Sequence, residues 1–292
     1  MNPCCQRKIS ILGAGNMGFR LGIALAENGC CIEHVWNRTA ERGEKLAKAL
    51  QRNQSNASYT NQLTDLYNSD ILILAVSDDA ITPLIDRLLA AFAPLRENNP
   101  HCPIVLHTSG ATAYSVFEPL LQAGYRCGVF YPLMTLSRTK NVNFMEIPLL
   151  FETEDEQVKQ WMSEIAFALK AEYLFCDSAK RLRMHTAAVF ACNFVNYILG
   201  LAFEVAGNSH TFLMPLAWEM LRKAFLKTPW DAQTGPAIRG DRTTIEKHLQ
   251  LLKDLNLPEE EELYRLLTER IAQRFQSGAT GYYPEESCQT TK

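Results

Sequence analysis

Ile9-Ser10-Ile11-Leu12-Gly13-Ala14-Gly15-Asn16-Met17-Gly18 is a short apolar run that ends in GxGxxG and opens a helical pattern from Phe19 to Glu27. A dinucleotide pyrophosphate needs this order of elements. Gly13 permits the tight strand-to-helix turn and Gly15 lets the backbone approach the pyrophosphate. Gly18 lets the helix pack closely on the strand, so that the N–H groups around Asn16 and Met17 face the phosphates. A second β-rich run, Cys31 to Trp36, completes a βαβ unit.

The end of that second strand selects among dinucleotides. An NAD site usually places Asp or Glu about 20 residues past the fingerprint, where it accepts the ribose 2′-hydroxyl. Counting from Gly18 to Asn37 gives 37 − 18 = 19, and no acid stands there. The chain reads Asn37-Arg38-Thr39, with Arg42 a turn later. One guanidinium flanked by small hydrogen-bonding groups suits a 2′-phosphate dianion, so the expected cofactor is NADP. The plainer reading makes Arg38 and Arg42 ordinary charges at a solvated helix start.

The chain has 292 residues, 47% of them hydrophobic, which is enough for two cores. A net charge of −3 supplies no basic field, which argues against nucleic acid as a partner and for a small-molecule substrate. The nine cysteines include the adjacent pairs Cys4-Cys5 and Cys30-Cys31, and the others are scattered. They show neither CxxC spacing nor His clusters, so no metal site or disulfide framework is expected. The N-terminus reads straight into a strand without a charged-then-apolar leader, and a reducing cytoplasm is the expected location.

Ala187 to Phe203 is mostly apolar and close to membrane-spanning length. Asn193 and Asn196 interrupt it, and Lys180, Arg181 and Arg183 precede it. The expectation is a buried central helix of a helical domain and no membrane association.

Up to residue 177, β-rich runs alternate with helical patterns. The runs Ile71 to Val76, Ile104 to His107 and Cys127 to Phe130 are followed by weaker candidates at Ile147 to Phe151 and Glu172 to Cys176. Helical patterns lie between them at Thr39 to Gln51, Ile81 to Ala91, Ala113 to Ala123 and Asp155 to Leu169. Such alternation predicts an α/β, doubly wound, mainly parallel sheet of Rossmann type. After Asp177, which reads as an N-cap, the β signal stops. Helices are expected from Ser178 to about Ala206, Phe212 to Leu226, Thr243 to Leu255 and Glu259 to Gln276. The expected domains are 1–177, the nucleotide-binding domain, and 178–276, an all-helical substrate and dimerisation domain. A loose polar tail is expected over 277–292.

Ligands of open α/β sheets lie beyond the carboxyl ends of the strands. The residues there are Ala75-Val76-Ser77, then His107-Thr108-Ser109-Gly110, then Tyr131-Pro132. Ser77, Thr108 and Ser109 are candidate hydroxyls for the ribose or nicotinamide amide, and Gly110 allows a close backbone approach to the ring. Thr108 and Ser109 also read as a helix N-cap. Tyr131 is a candidate substrate contact or a packed aromatic, and His107 reads as a packing or internally hydrogen-bonded side chain.

His185 is the candidate acid/base group, because an imidazole titrates near neutrality and a reductase must protonate the heteroatom that receives no hydride. At 100° per residue, Asn196 falls within about 20° of His185 and Asn193 within about 80°, which places all three on one helix face. A buried unsatisfied amide costs about 1–3 kcal/mol, so both asparagines need partners, from neighbouring helices or from substrate. The alternative for His185 is an exposed histidine after a basic stretch. Further on, Thr234-Gly235-Pro236-Ala237-Ile238-Arg239-Gly240-Asp241 is a Gly/Pro loop whose glycines imply unusual torsions. Arg239 either pairs with Asp241 or holds a substrate carboxylate.

GAGNMG (13–18), WNRT (36–39), LAVSDDAI (74–81), HTSGA (107–111), FYPLMTLS (130–137), MHTAAVFACNFVNYIL (184–199) and TGPAIRGD (234–241) together resemble a bacterial family. Its members have a Rossmann-like domain and a helical C-terminal domain of unknown function. They are described as NADP or deazaflavin-dependent oxidoreductases, and are similar to pyrroline-5-carboxylate reductase and to the 6-phosphogluconate and β-hydroxyacid dehydrogenases. The resemblance covers nearly the whole chain except the tail. It implies a helical domain like the C-terminal domain of 6-phosphogluconate dehydrogenase, NADP at Gly13, Gly15, Gly18 and Asn37 to Thr39, and a homodimer through the helical domain. The β-hydroxyacid dehydrogenases use a Lys with an Asn one turn later, whereas this helix has His185, Val189 and Asn193.

The expected activity is hydride transfer between NADPH and a small keto or imino acid-like substrate in the cleft between the domains. His185 is the proton donor, and Asn193, Asn196, Ser109, Tyr131 or Arg239 orients the substrate. A non-catalytic NADP-binding sensor or scaffold is the rival class. A transcriptional regulator is disfavoured by the lack of a basic helix-turn-helix.

Overall fold

The computed structural model describes residues 7–53, 55–97, 99–137 and 142–276. Strands β1 (Lys8–Leu12), β2 (Cys31–Trp36), β3 (Ser58–Thr60), β4 (Ile71–Leu74), β5 (Ile104–His107), β6 (Cys127–Pro132), β7 (Leu149–Glu152) and β8 (Tyr173–Phe175) form one sheet, in the order β3-β2-β1-β4-β5-β6-β7-β8. Among the described residues, only the β6–β7 pair is antiparallel. The sequence had indicated every strand but β3, a three-residue polar edge with no apolar run to mark it. The central strands β4, β5 and β6 are buried at every position, as strands covered on both faces must be.

Helices α1 (Asn16–Glu27), α2 (Ala40–Arg52), α3 (Asp78–Arg96), α4 (Glu118–Gln122) and α5 (Glu156–Leu169) connect the strands. Alternate strand residues feed two cores. Ile9, Ile11, Ile71 and Ile73 pack with Leu21 of α1, Leu46 of α2 and Trp161 of α5, while Leu12, Leu72 and Leu74 pack with Ile81, Ile85 and Phe92 of α3. One apolar layer on each face is what doubly wound topology requires. The helix expected from Ala113 to Ala123 is instead a 3₁₀ turn, Tyr114–Phe117, followed by the single turn and a half of α4.

Beyond β8 the chain is helical: α6 (Ser178–Ala188), α7 (Val195–Ala206), α8 (Met214–Leu226), α9 (Pro229–Ala232), α10 (Pro236–Arg239), α11 (Arg242–Asp254) and α12 (Pro258–Gln276). Asp177 caps α6 by accepting from the Lys180 N–H at 2.7 Å, the role read from sequence. A π-helical segment, Val189–Phe194, joins α6 to α7.

The chain divides into two compact units after Phe190, inside that π segment and not at residue 177. The reason is local. Arg181 of α6 is fully buried in the first unit, ion-paired with Glu152 of β7 and donating to the Thr112 carbonyl. Ser178 donates to the Glu152 carboxylate at 2.9 Å and accepts from the Tyr114 N–H at 2.9 Å. These polar ties fasten α6 to the sheet. The loose tail expected over 277–292 lies outside the described residues.

In the second unit the expectation of a buried central helix is overturned. Asn193 and Asn196 are exposed, as are Phe194, Tyr197, Ile198 and Phe203. The helical stretch Ser178–Leu226 is long and apolar enough to cross a membrane by length and composition, and none of its most apolar window is buried within the chain. Exposed amides need no protein partner, so the cost reckoned for burying them does not arise in the single chain.

Candidate functional site

The carboxyl end of the sheet in the first unit gathers most of the residues singled out by sequence. Gly13 sits at φ +110°, and a Cβ there would lie 2.4 Å from the Ala75 carbonyl oxygen. A Cβ on Gly18 would lie 1.9 Å from the Gly13 oxygen. Both glycines are demanded by the protein's own packing. Gly15 differs: a Cβ there would meet only the Ala75 oxygen, at an ordinary 3.9 Å, so the backbone at Gly15 faces open space. Gly15 is also the N-cap of α1, with no side chain capping the first turn. Helix N–H groups left over an open cradle are the donor set that a pyrophosphate fits.

Beside this cradle lies a cavity of about 420 Å³, lined by Gly13, Gly15, Asn37, Arg38 and Ala75-Val76-Ser77 among others. Ala75, Val76 and Ser77 therefore stand where expected. Asn16 is exposed at the start of α1, whereas Met17 packs partly into the core. Asn37 serves the protein itself. Its Oδ1 accepts from the Ala14 N–H at 2.9 Å, and its Nδ2 donates to the Thr39 carbonyl and Oγ1 at 2.8 and 3.0 Å. The side chain read as part of the 2′-phosphate site thus also buttresses the glycine turn, and it ties Thr39 to that turn.

Two further hydroxyls prove to be structural. Thr108 is nearly buried and its Oγ1 points at the Leu74 carbonyl at 3.3 Å, so the cofactor contact expected of it gives way to a link between β5 and β4. Ser109 Oγ accepts from the Ala111 and Thr112 N–H groups at 3.1 and 2.9 Å, which closes the turn after β5. This is close to the capping role also read for Ser109, and it leaves the hydroxyl hydrogen to donate elsewhere. His107 is fully buried, accepts from the Ser109 N–H at Nδ1 and stacks on Phe117 at 5.1 Å, the packing role read for it. Burial, reinforced by the positive charge of Arg181, pushes its pKa down to about 3.

The arrangement not legible beforehand is a pair. Tyr131, at the end of β6, shares a 2.8 Å hydrogen bond with Nδ1 of His185, late in α6. Burial, with the Asp78 carboxylate second, raises the Tyr131 pKa, so the phenol keeps its proton. Gly110 lies against both rings: a Cβ there would come within 2.6 Å of Tyr131 Cζ and 2.7 Å of His185 Nδ1. The glycine of HTSGA is required because two side chains meet over it.

Asn193, Asn196 and Arg239 belong to the second unit. The π-helical segment Val189–Phe194 breaks the count of 100° per residue, so the single face inferred for His185, Asn193 and Asn196 does not follow. In the loop around α10, Gly235 and Gly240 both take positive φ, +117° and +64°, as the sequence implied. Asp241 caps α11, accepting from the Thr244 N–H at 3.1 Å, and Arg239 is exposed without an ion pair to it. The second unit also holds a mostly apolar cavity of about 480 Å³, walled by Ile198, Leu201, Leu251, Leu263 and Leu267, with His248, Glu260 and Tyr264 as the polar groups of its lining. Among the described residues no cluster of His, Cys, Asp and Glu could hold a metal ion.

Comparison with known proteins agrees with this architecture. Residues 147–271 match the model of the Domain of unknown function (DUF2520), and residues 1–94 match that of Shikimate / quinate 5-dehydrogenase. No curated protein matches the sequence. Among solved structures, a Bacteroides fragilis protein named "putative NADP oxidoreductase" is 33% identical, with 92% of this chain and 98% of that one covered and a TM-score of 0.79. A Streptomyces aurantiacus imine reductase shares the fold at 16% identity and TM-score 0.66, covering 94% of this chain and 96% of its own. An Aspergillus terreus reductive aminase, solved with NADPH and ethyl-5-oxohexanoate, does so at 17% and 0.65, with 93% and 94% covered. These define a two-part class: a Rossmann-like domain followed by a helical domain. The chain belongs to the family of the Bacteroides fragilis protein.

Proposed function

We propose that the protein is an NADP-dependent oxidoreductase acting on a small keto or imino acid-like substrate, with His185 as its proton-transfer group. The observation that carries this reading is that one end of one sheet holds both an open dinucleotide cradle at Gly15 and a hydrogen-bonded Tyr131–His185 pair over Gly110. The 33% identical relative, by its name, supports the same class. The nicotinamide cofactor, when bound, supplies or accepts the hydride.

The residues of the chain supply the rest. Gly15 and the first turn of α1 bind the pyrophosphate, and Arg38 pairs with the 2′-phosphate. Tyr131 holds the His185 ring by Nδ1, so that Nε2 is the atom that gives or takes the substrate proton. The phenol oxygen can donate to Nδ1 or accept from it, so the ring can pass between neutral and charged forms without losing this bond. Arg239 and Asn193 remain the proposed substrate-orienting groups of the second unit.

A panel of keto acids, imino acids and deazaflavin, followed by loss of nicotinamide absorbance, tests the proposal. At least one should be turned over, and His185→Ala should then lower kcat by about 10²–10⁴, the usual worth of a positioned acid. Tight NADPH binding with no turnover of any of them would make the protein a sensor or scaffold.

We propose a second copy of the chain as the partner of the helical unit. Phe212, Trp218 and Phe225 of this unit are 83%, 67% and 86% exposed. Soluble monomers rarely show apolar surface on this scale, whereas the core of a homodimer interface is strongly apolar. Covering it in this way fits a cytoplasmic protein. Sedimentation should give about twice 33.0 kDa. A monomer, or partition onto phospholipid vesicles, would contradict it.

A further inference from the structure

The cavity beside the fingerprint has a wall that the motifs do not reach. Ala80, Pro83, Leu84 and Arg87 line it from α3. Their spacing, i, i+3, i+4 and i+7, is one stripe of one helix, so α3 faces the cavity along two turns. Arg87 closes that stripe on the side of Trp36 and Arg38.

Four observations bear on Arg87. Its guanidinium lies over the Trp36 ring, 5.3 Å from the centroid. Trp36 is fixed, being nearly buried with its indole N–H donating to the Asn61 carbonyl at 3.1 Å. The cavity lining includes two arginines, Arg38 and Arg87, and not one carboxylate. Neither arginine forms an ion pair among the described residues. Two cations held at one cavity without a counter-charge repel each other, and that arrangement is relieved by an anion.

We propose that Arg87 is a second guanidinium for the 2′-phosphate of NADP, opposite Arg38, and so a determinant of cofactor specificity. This rests on the reading of the protein as NADP-dependent. The cation–π contact with Trp36 restrains the guanidinium, so that its fork can pair with two phosphate oxygens while less side-chain entropy is lost. The apolar stripe of Ala80, Pro83 and Leu84 lines the same cavity and leaves the charge at one end. Arg38 alone could neutralise only half of a dianion; the pair matches it.

Calorimetric titration of the full-length protein with NADPH and with NADH tests this without any substrate. Arg87→Ala should weaken NADPH about tenfold or more and leave NADH within about twofold, since only NADPH has the phosphate to lose. Arg87→Lys, which keeps the charge and loses the fork, should fall between. Equal weakening of both dinucleotides would assign Arg87 to the adenosine they share and overturn the proposal, as would unchanged NADPH affinity. A parent protein that binds neither would instead remove the NADP reading beneath it.

Discussion

Replacing Arg181 with methionine should cost the first unit about 3–5 kcal/mol, among the largest effects expected of any single side chain here. Arg181 is fully buried, and burial draws its pKa down to about 10 without neutralising it at physiological pH. Removing it strands the Glu152 carboxylate, itself only 15% exposed, and frees the Thr112 carbonyl. Glu152→Gln should cost a comparable amount by leaving the guanidinium unmatched. The double change Arg181→Met with Glu152→Met should cost less than either alone, because desolvating two charges consumes much of what their attraction returns. Urea denaturation of the four proteins is the check. Single-variant losses under about 1 kcal/mol would show that water reaches the pair. The same variants bear on function, since His185 stands one turn after Arg181 on α6.

Lowering the pH should destabilise the first unit through His107. Its folded pKa of about 3 lies below the value near 6.5 of an unfolded chain. Between those values the unfolded state binds the proton and the folded state does not, so stability rises with pH there and is lost as pH falls from about 6.5 towards 3. At 1.36 kcal/mol per unit the full loss is of order 4–5 kcal/mol. His107→Asn should flatten this slope relative to the parent in denaturation midpoints measured from pH 7 to pH 4. An unchanged slope would mean that the imidazole is protonated in the folded protein. The Arg181 charge is the second cause of the shift, so Arg181→Met should also let His107 take up its proton at higher pH.

The fold was legible because its signals are local. Ile71 to Leu74 and Ile104 to His107 are unbroken apolar runs, and only buried parallel strands need them. Asp177 announced its helix by cap chemistry alone. The fingerprint glycines were readable from their spacing between strand and helix, although only Gly18 answers a near neighbour, the Gly13 oxygen, while Gly13 answers Ala75 just after β4 and Gly15 faces open space.

What escaped is what only tertiary contact decides. Asn37 and Thr108 carry suitable functional groups at the strand ends, and each also has a partner within the protein, the Ala14 N–H and the Leu74 carbonyl, that the sequence did not reveal. Tyr131 and His185 are 54 positions apart and meet only because Gly110 leaves room. Gly110 was read as leaving room for a cofactor ring, and the rings that lie against it are those of Tyr131 and His185. Arg87 lies 49 positions from Arg38 on an ordinary amphipathic helix, and nothing in its neighbours marks it. The π segment Val189–Phe194 has no compositional mark, so a helical-wheel count across it could not succeed.

The proposed function requires NADP at the open cradle of Gly15 and the cationic cavity beside it. Isothermal titration with NADPH and NADH, on the parent protein and on Arg38→Ala, measures this most directly. Saturable NADPH binding is expected, with weaker binding of NADH and a smaller preference in Arg38→Ala. Equal affinities in the parent, or no heat with either dinucleotide, would contradict it.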